Sequence, residues 1–284
     1  MESICLLTDG SAQFSQKSFR GIEQIYIVNP DINFHNVIYR EGKDLNLASF
    51  PLSSLNNGAP KLVVPELIDL CQNISTLGEK YDYLIAILSS QQLNPLYGIV
   101  EKAVITSCGK AKVQIIDSQA VSSGLGFIVE NAAQAVADQC SVSEIEHIIR
   151  KLIPHVYTTL CMPGFSYLHN SGYADHSQAE VGEMLGLFPI FTLEDGRLAP
   201  IQKVRSDHSI IEYFQEFLDE FEDLSHIALM QNSKYILPDS YLLREHIHDV
   251  FNKSLFTEMT LNSTNAVLFG PQTLGLTVVE KSDT

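Results

Sequence analysis

The chain has 284 residues, 45% of them hydrophobic, and a mean hydropathy of +0.06, which fits a full core and excludes a disordered protein. Its 34 acidic and 18 basic residues give a formal charge of −16, which argues against binding nucleic acid or anionic lipid surfaces. No segment is apolar for long enough to span a bilayer, and no signal peptide is visible. The five cysteines are scattered and never in CxxC spacing. We therefore expect a cytoplasmic protein with reduced thiols, no metal site and no integral membrane association.

Short apolar segments alternate with helical stretches through the first half of the chain. The apolar segments predict strands at 4–9, 22–28, 81–90 and 112–118. Helical character lies between them, at 65–76 and 96–108. Nearly continuous apolar strands that alternate with helices predict a largely parallel, doubly wound sheet, whose ligands lie beyond the carboxyl ends of the strands.

A long helical stretch at 118–139 follows the fourth strand. Asp117 or Ser118 is expected to cap it, and a ligand role for Ser118 stays open beside capping. Ser141 and Glu144 then form an S-x-x-E capping pattern that begins another helix, and Pro154 ends it. We place the domain boundary there, with an α/β domain at 1–155 and a second domain at 156–284.

The second half has a different rhythm, typical of an α+β sandwich domain. Strands are predicted at 156–162, 226–231 and 274–280, and helices at 178–187, 210–221 and 241–251. Asp195-Gly196 lies between two apolar runs and predicts a hairpin turn.

No constellation in the sequence points clearly to catalysis. Phosphate-binding glycine loops and a GxSxG elbow are absent from the sequence. His246 and His248 are two apart in a predicted helix, which puts them on different faces, so they cannot share a metal ion. Ser89 and Ser90 follow a buried strand, where hydroxyls and free backbone amides favour an anion. Plain helix capping explains the same serines equally well.

Several stretches together resemble the DegV family of bacterial fatty-acid-binding proteins, in the right order over nearly the whole chain. They are LLTDGSA at 6–12, YREGKDLN at 39–46, IIDSQAVSSGLG at 115–126, MLGLFPIFTLEDGRLAPIQKVRS at 184–206 and FGPQTLGL at 269–276. The resemblance implies a two-domain fold that holds a long-chain fatty acid in a tunnel between the domains, with no other cofactor. It also implies a non-enzymatic carrier that presents the acid to a partner fatty-acid kinase.

The chain departs from the family pattern at the positions that the resemblance assigns to the ligand's head group. Leu62 and Val63 replace a threonine and a serine, Tyr173 replaces a common arginine, and Leu268 replaces a histidine. Either Ser89, Ser90, Asn94 and Tyr173 form a substitute grip on a carboxylate, or the ligand has a neutral or altered head and a regulatory role. An enzyme that uses the same cleft is the less favoured alternative. The expected ligand-binding residues are Leu62, Val63, Ser89, Ser90, Asn94, Ser118, Tyr173, Leu268, Phe269 and Gly270.

Overall fold

The computed structural model describes residues 2–55, 58–232 and 237–281. Its strands are β1 (Ile4–Asp9), β2 (Ile25–Val28), β3 (Asp31–Phe34), β4 (Val37–Tyr39), β5 (Lys61–Val63), β6 (Tyr83–Leu88), β7 (Lys112–Asp117), β8 (Val156–Cys161), β9 (Phe188–Glu194), β10 (Arg197–Val204), β11 (Leu224–Gln231), β12 (Leu255–Thr260) and β13 (Leu274–Glu280). The α-helices are α1 (Leu67–Lys80), α2 (Leu96–Ser107), α3 (Ser122–Ala137), α4 (Val142–Leu152), α5 (Ser166–Asn170), α6 (His176–Met184), α7 (Asp207–Asp219), α8 (Ser240–Val250) and α9 (Ser263–Phe269).

The predicted parallel sheet is confirmed, with strand order β2-β1-β6-β7. Side chains alternate between its two faces: Leu6 packs towards α3 and α4, whereas Leu7 packs towards α1 and α2. Both faces are covered, so the sheet is doubly wound. The strand predicted at 22–28 begins only at Ile25, because Gly21 adopts a positive φ of 86° and starts a 3₁₀ turn at Ile22–Gln24.

The long helix predicted from residue 118 begins later, at Ser122, and its N-cap residue is Val121. Gln119 has a left-handed φ of 54°, which interrupts any helix that starts at the strand end. The prediction that Asp117 or Ser118 caps this helix is therefore wrong. The Ser118 hydroxyl instead accepts a hydrogen bond from the Ala120 amide at 3.2 Å. The capping box predicted at Ser141 is confirmed.

A small antiparallel sheet with order β4-β3-β5 was not predicted. Its strands have only three or four residues each, too few to give a clear alternating pattern. Ile32 and Phe34 pack with Phe50 against Ala266 and Val267 of α9. The small sheet thus joins the first half of the chain to the C-terminal part.

The second half forms a six-stranded mixed sheet with order β10-β9-β8-β13-β11-β12. Its neighbours are antiparallel except β11 and β12, which run parallel. The predicted hairpin is confirmed: Asp195 and Gly196 have φ values of 48° and 76°, as a two-residue turn of type I′ requires.

The proposed domain boundary falls just before β8, the first strand of the mixed sheet in chain order. It stays a prediction, and residues 1 and 282–284 of its two ranges lie outside the described residues. Within the described ranges, no helix combines the length and the apolar character that crossing a bilayer requires.

Candidate functional site

A fully buried carboxylate organises the carboxyl end of the parallel sheet. Asp9 accepts hydrogen bonds from the amide and hydroxyl of Ser11 at 3.0 and 2.7 Å, from the Ser89 amide at 2.7 Å, and from the Asn94 side chain at 3.1 Å. Four neutral donors, two of them from the loop that follows β6, compensate the cost of burying the charge. Asp9 therefore fixes the loop between β6 and α2, which carries the predicted polar grip.

The structure brings Ser89, Ser90 and Asn94 together in this loop but uses most of their donors internally. Ser90 donates its hydroxyl to the Gly196 carbonyl at 2.5 Å, and Asn94 donates to Asp9. Tyr173 reaches the same loop, where its hydroxyl donates to the Gln92 carbonyl at 2.5 Å.

The Ser89 hydroxyl is the exception. It is fully buried and has no hydrogen-bond partner. The buried hydroxyl of Thr8 in β1 also has no hydrogen-bond partner. The predicted grip stays a prediction, and in the described structure Ser89 is the member whose side-chain donor is unused.

The apolar residues assigned to the head-group region join one hydrophobic cluster that crosses from the first half of the chain to the second. Leu62, Leu268 and Phe269 belong to it, together with Phe165 and Leu168. We call this group the bridging cluster; its other members are Leu55, Leu93, Val121, Leu160, Met162, Ala174, Ala179, Leu187, Phe191, Leu193, Leu198, Met230 and Met259.

Three more of the predicted ligand contacts also lie outside the bridging cluster. Val63 is exposed on the small sheet, and the Ser118 hydroxyl bonds only within its own loop. Gly270 has a φ of 104° and packs closely against Pro163 and Tyr167, so its position is a tight backbone turn.

An apolar cavity of about 670 Å³ lies between α5 and α6 on one side and β9 and β10 on the other. Its walls run along β10 from Leu198 to Lys203, five residues apart, which corresponds to about 17 Å at the rise of a β-strand. Pockets that bind small apolar ligands have this size and character. The lining residues are Phe165, Leu168, Tyr173, Ala174, Asp175, Ser177, Gln178, Val181, Gly182, Leu187, Pro189, Ile190, Phe191, Leu198, Pro200, Ile201, Gln202 and Lys203.

The two ends of this cavity differ. At the inner end, Tyr173 contacts the first half of the chain through Gln92, and Leu198 also lines a smaller cleft beside Gln92. At the other end, the exposed Lys203 ammonium lies over the Phe165 ring at 5.3 Å from its centre. We expected a tunnel between the domains; this cavity is lined entirely by residues 165–203, which all belong to the second half of the chain.

Titratable groups near the cavity offer little chemistry. Burial raises the pKa of Tyr173, which keeps its hydroxyl a neutral donor. The carboxylate of Asp175 caps α6 by accepting from the Gln178 amide at 2.7 Å. His169 and His176 have ring centres 5.4 Å apart, but no group of three or more His, Cys, Asp or Glu in the described part of the chain could hold a metal ion.

The family profile described as "Uncharacterised protein, DegV family" matches residues 3–281. The chain belongs to the DegV family. A DegV domain-containing protein of Caldanaerobacter subterraneus subsp. tengcongensis is 26% identical over 220 residues, 77% of each chain. Protein DegV of Bacillus subtilis is 25% identical over 222 residues, 77% of this chain and 78% of that one.

Solved structures of DegV relatives share the fold. A DegV family protein from Eubacterium eligens, loaded with heptadecanoic acid, superposes with a TM-score of 0.80 at 18% identity, covering 98% of this chain and 100% of the other. The fatty acid kinase B3 protein of Streptococcus pneumoniae, loaded with linoleic acid, gives 0.82 at 14% identity with the same coverage. At this level of identity the likeness establishes the architecture.

Proposed function

We propose that this protein binds one long-chain fatty acid in the cavity between α6 and β10 and presents it to a partner fatty-acid kinase. The observation that carries the proposal is the apolar cavity of about 670 Å³, walled by Leu168, Ile190 and Phe191. A cavity walled by such side chains is poorly suited to a polar metabolite. It suits a hydrocarbon tail.

The energetics support an acyl ligand. Burying each methylene is favourable by about 0.8 kcal/mol, before the cost of ordering the chain is subtracted. Ten or more methylenes would therefore supply most of the affinity without specific contacts. Two relatives with the same fold, one loaded with heptadecanoic acid and one with linoleic acid, support the same ligand class.

We further propose that the protein is a cytoplasmic carrier without enzymatic activity of its own. In the cavity lining, the one carboxylate, Asp175, is used to cap α6, and no histidine or cysteine accompanies the Ser177 hydroxyl. A nucleophile or general base needs such a partner for activation. The kinase partner is supported by the name of the Streptococcus pneumoniae relative.

Mass spectrometry of the lipid extracted from the purified protein tests the proposal. We expect a free fatty acid at close to one molecule per chain. A neutral ester or an isoprenoid would instead support the alternative of a lipid with a neutral head, because Ser90, Asn94 and Tyr173 already use their donors within the protein. Protein free of lipid that also fails to bind added fatty acid would refute both.

A further inference from the structure

The helices α5 and α6 form one wall of the cavity, and α6 has little apolar packing of its own. It buries only Ala179 and Gly182, whereas Val181 and Met184 are exposed. A short helix normally owes its position to a buried apolar face. The face of α6 that carries Gln178 lines the cavity instead of a packed core. The position of α6 therefore depends on contacts outside that face.

Within the described ranges, the side-chain hydrogen bonds that leave this wall go mainly to residues 51–54, in the first half of the chain. We call residues 51–54 the strap. The Ser54 amide donates to the buried Ser166 hydroxyl of α5 at 3.1 Å. The Asn170 side chain, at the end of α5, donates to the Ser54 hydroxyl. These bonds tie α5 to the strap at both of its ends.

Two further contacts extend the connection from α5 to α6. The Tyr167 hydroxyl donates to the Pro51 carbonyl at 2.7 Å, and the Ser53 hydroxyl donates to the Glu183 carboxylate in α6. Because Tyr167 is buried, its hydroxyl needs an acceptor within the protein. The strap thus bonds to both helices of the wall.

The strap is itself fixed to the first half of the chain. Phe50, the residue before it, is buried and lies against the Phe34 ring of the small sheet, with 5.3 Å between the ring centres. When the strap and the wall separate, water replaces each hydrogen bond between them, so each bond contributes only a small net free energy. The closed wall is therefore favoured by a small margin.

We propose that the strap holds α5 and α6 closed over the cavity and that its release sets the rate at which a fatty acid enters and leaves. The inference rests on the proposed function and adds the step that controls access. The strap residues do not line the cavity, so they do not contribute to affinity through contact with the ligand. Entry and exit pass through the same open state, and weakening the strap should therefore accelerate both by the same factor.

Stopped-flow fluorescence with cis-parinaric acid and delipidated protein tests the strap. Tyr167→Phe keeps the ring and removes the bond to the Pro51 carbonyl. We expect the association and dissociation rate constants to rise together by about two- to tenfold, the range for one net hydrogen bond, while the dissociation constant stays within about twofold of wild type. Ser53→Ala removes the contact with Glu183 and should act in the same direction.

The matched control is Tyr157→Phe. It makes the same chemical change at a hydroxyl that bonds to Glu280 within the second half of the chain, outside the cavity lining. Its rate constants should equal those of the wild type.

Amide hydrogen exchange of the lipid-free protein measures the opening of the wall without a ligand. Tyr167→Phe should accelerate exchange in α6 and leave α7 unchanged. Unchanged exchange in α6, or unchanged rate constants in both strap variants, would overturn the strap and leave the proposed function standing. Faster dissociation with an unchanged association rate would also overturn it, because only affinity would have been lost. Failure of the wild type to bind any fatty acid would overturn both proposals.

Discussion

The length of the cavity predicts how affinity depends on the length of the acyl chain. From Leu198 to Lys203 the lining extends about 17 Å along β10. Carbon–carbon bonds of about 1.5 Å at angles near 111° advance an extended chain by about 1.25 Å per carbon. About fourteen carbons therefore span this length of the cavity.

A series of saturated acids from about ten to about twenty carbons should show this limit. At about 0.8 kcal/mol per methylene, each added carbon tightens binding by at most about fourfold, and less after ordering costs. We expect this rise to flatten beyond about fourteen carbons, because further methylenes extend past the length of the cavity. Isothermal titration calorimetry on delipidated protein measures the series.

Two results would refute this reasoning about the cavity. Affinity that does not change with chain length would show that the tail is not buried there. A steady rise through about twenty carbons would show that the tail follows a longer path than the one between α6 and β10.

Three substitutions test the surrounding structure. A Cβ on Gly182 would overlap the Phe165 ring, so Gly182→Ala should displace that ring, cost about 1–3 kcal/mol of stability and weaken fatty-acid binding. Unchanged binding and urea unfolding would contradict this. Asp9→Ala leaves several buried donors unpaired and should lower the free energy of unfolding in urea by about 2–4 kcal/mol. A decrease below about 0.5 kcal/mol would show that the carboxylate is dispensable for stability. Burial lowers the pKa of His226 from 6.5 to about 4, so between those pH values the unfolded state binds more protons than the folded state. The free energy of unfolding should therefore fall by about 3 kcal/mol as the pH drops from 6.5 to 4. His226→Gln should reduce this loss and the exposed His248→Gln should not; an equal loss in both variants would show that His226 is not its source.

Local patterns in the sequence were enough to predict much of the fold. The parallel strands follow from apolar runs, the hairpin follows from Asp195-Gly196, and the helix after Ser141 follows from its capping box. Each of these signals acts over a few residues. The predicted start of α3 was wrong, because the left-handed backbone of Gln119, which the composition does not reveal, interrupts a helix that starts at the strand end.

The candidate site was harder to predict, because its contacts join residues far apart in the chain. Ser90 bonds to the Gly196 carbonyl and Tyr173 to the Gln92 carbonyl, partners that no sequence pattern reveals. The sequence also gave no sign that Lys203 would line a cavity; its place in the edge strand β10, opposite α6, becomes visible only in three dimensions.

The most direct test of acyl binding is a crystal structure of the protein with the lipid that copurifies with it. We expect continuous, chain-shaped electron density between α6 and β10. Density for the chain that lies wholly outside the cavity lined by residues 165–203, or side chains that fill this cavity, would contradict the proposal.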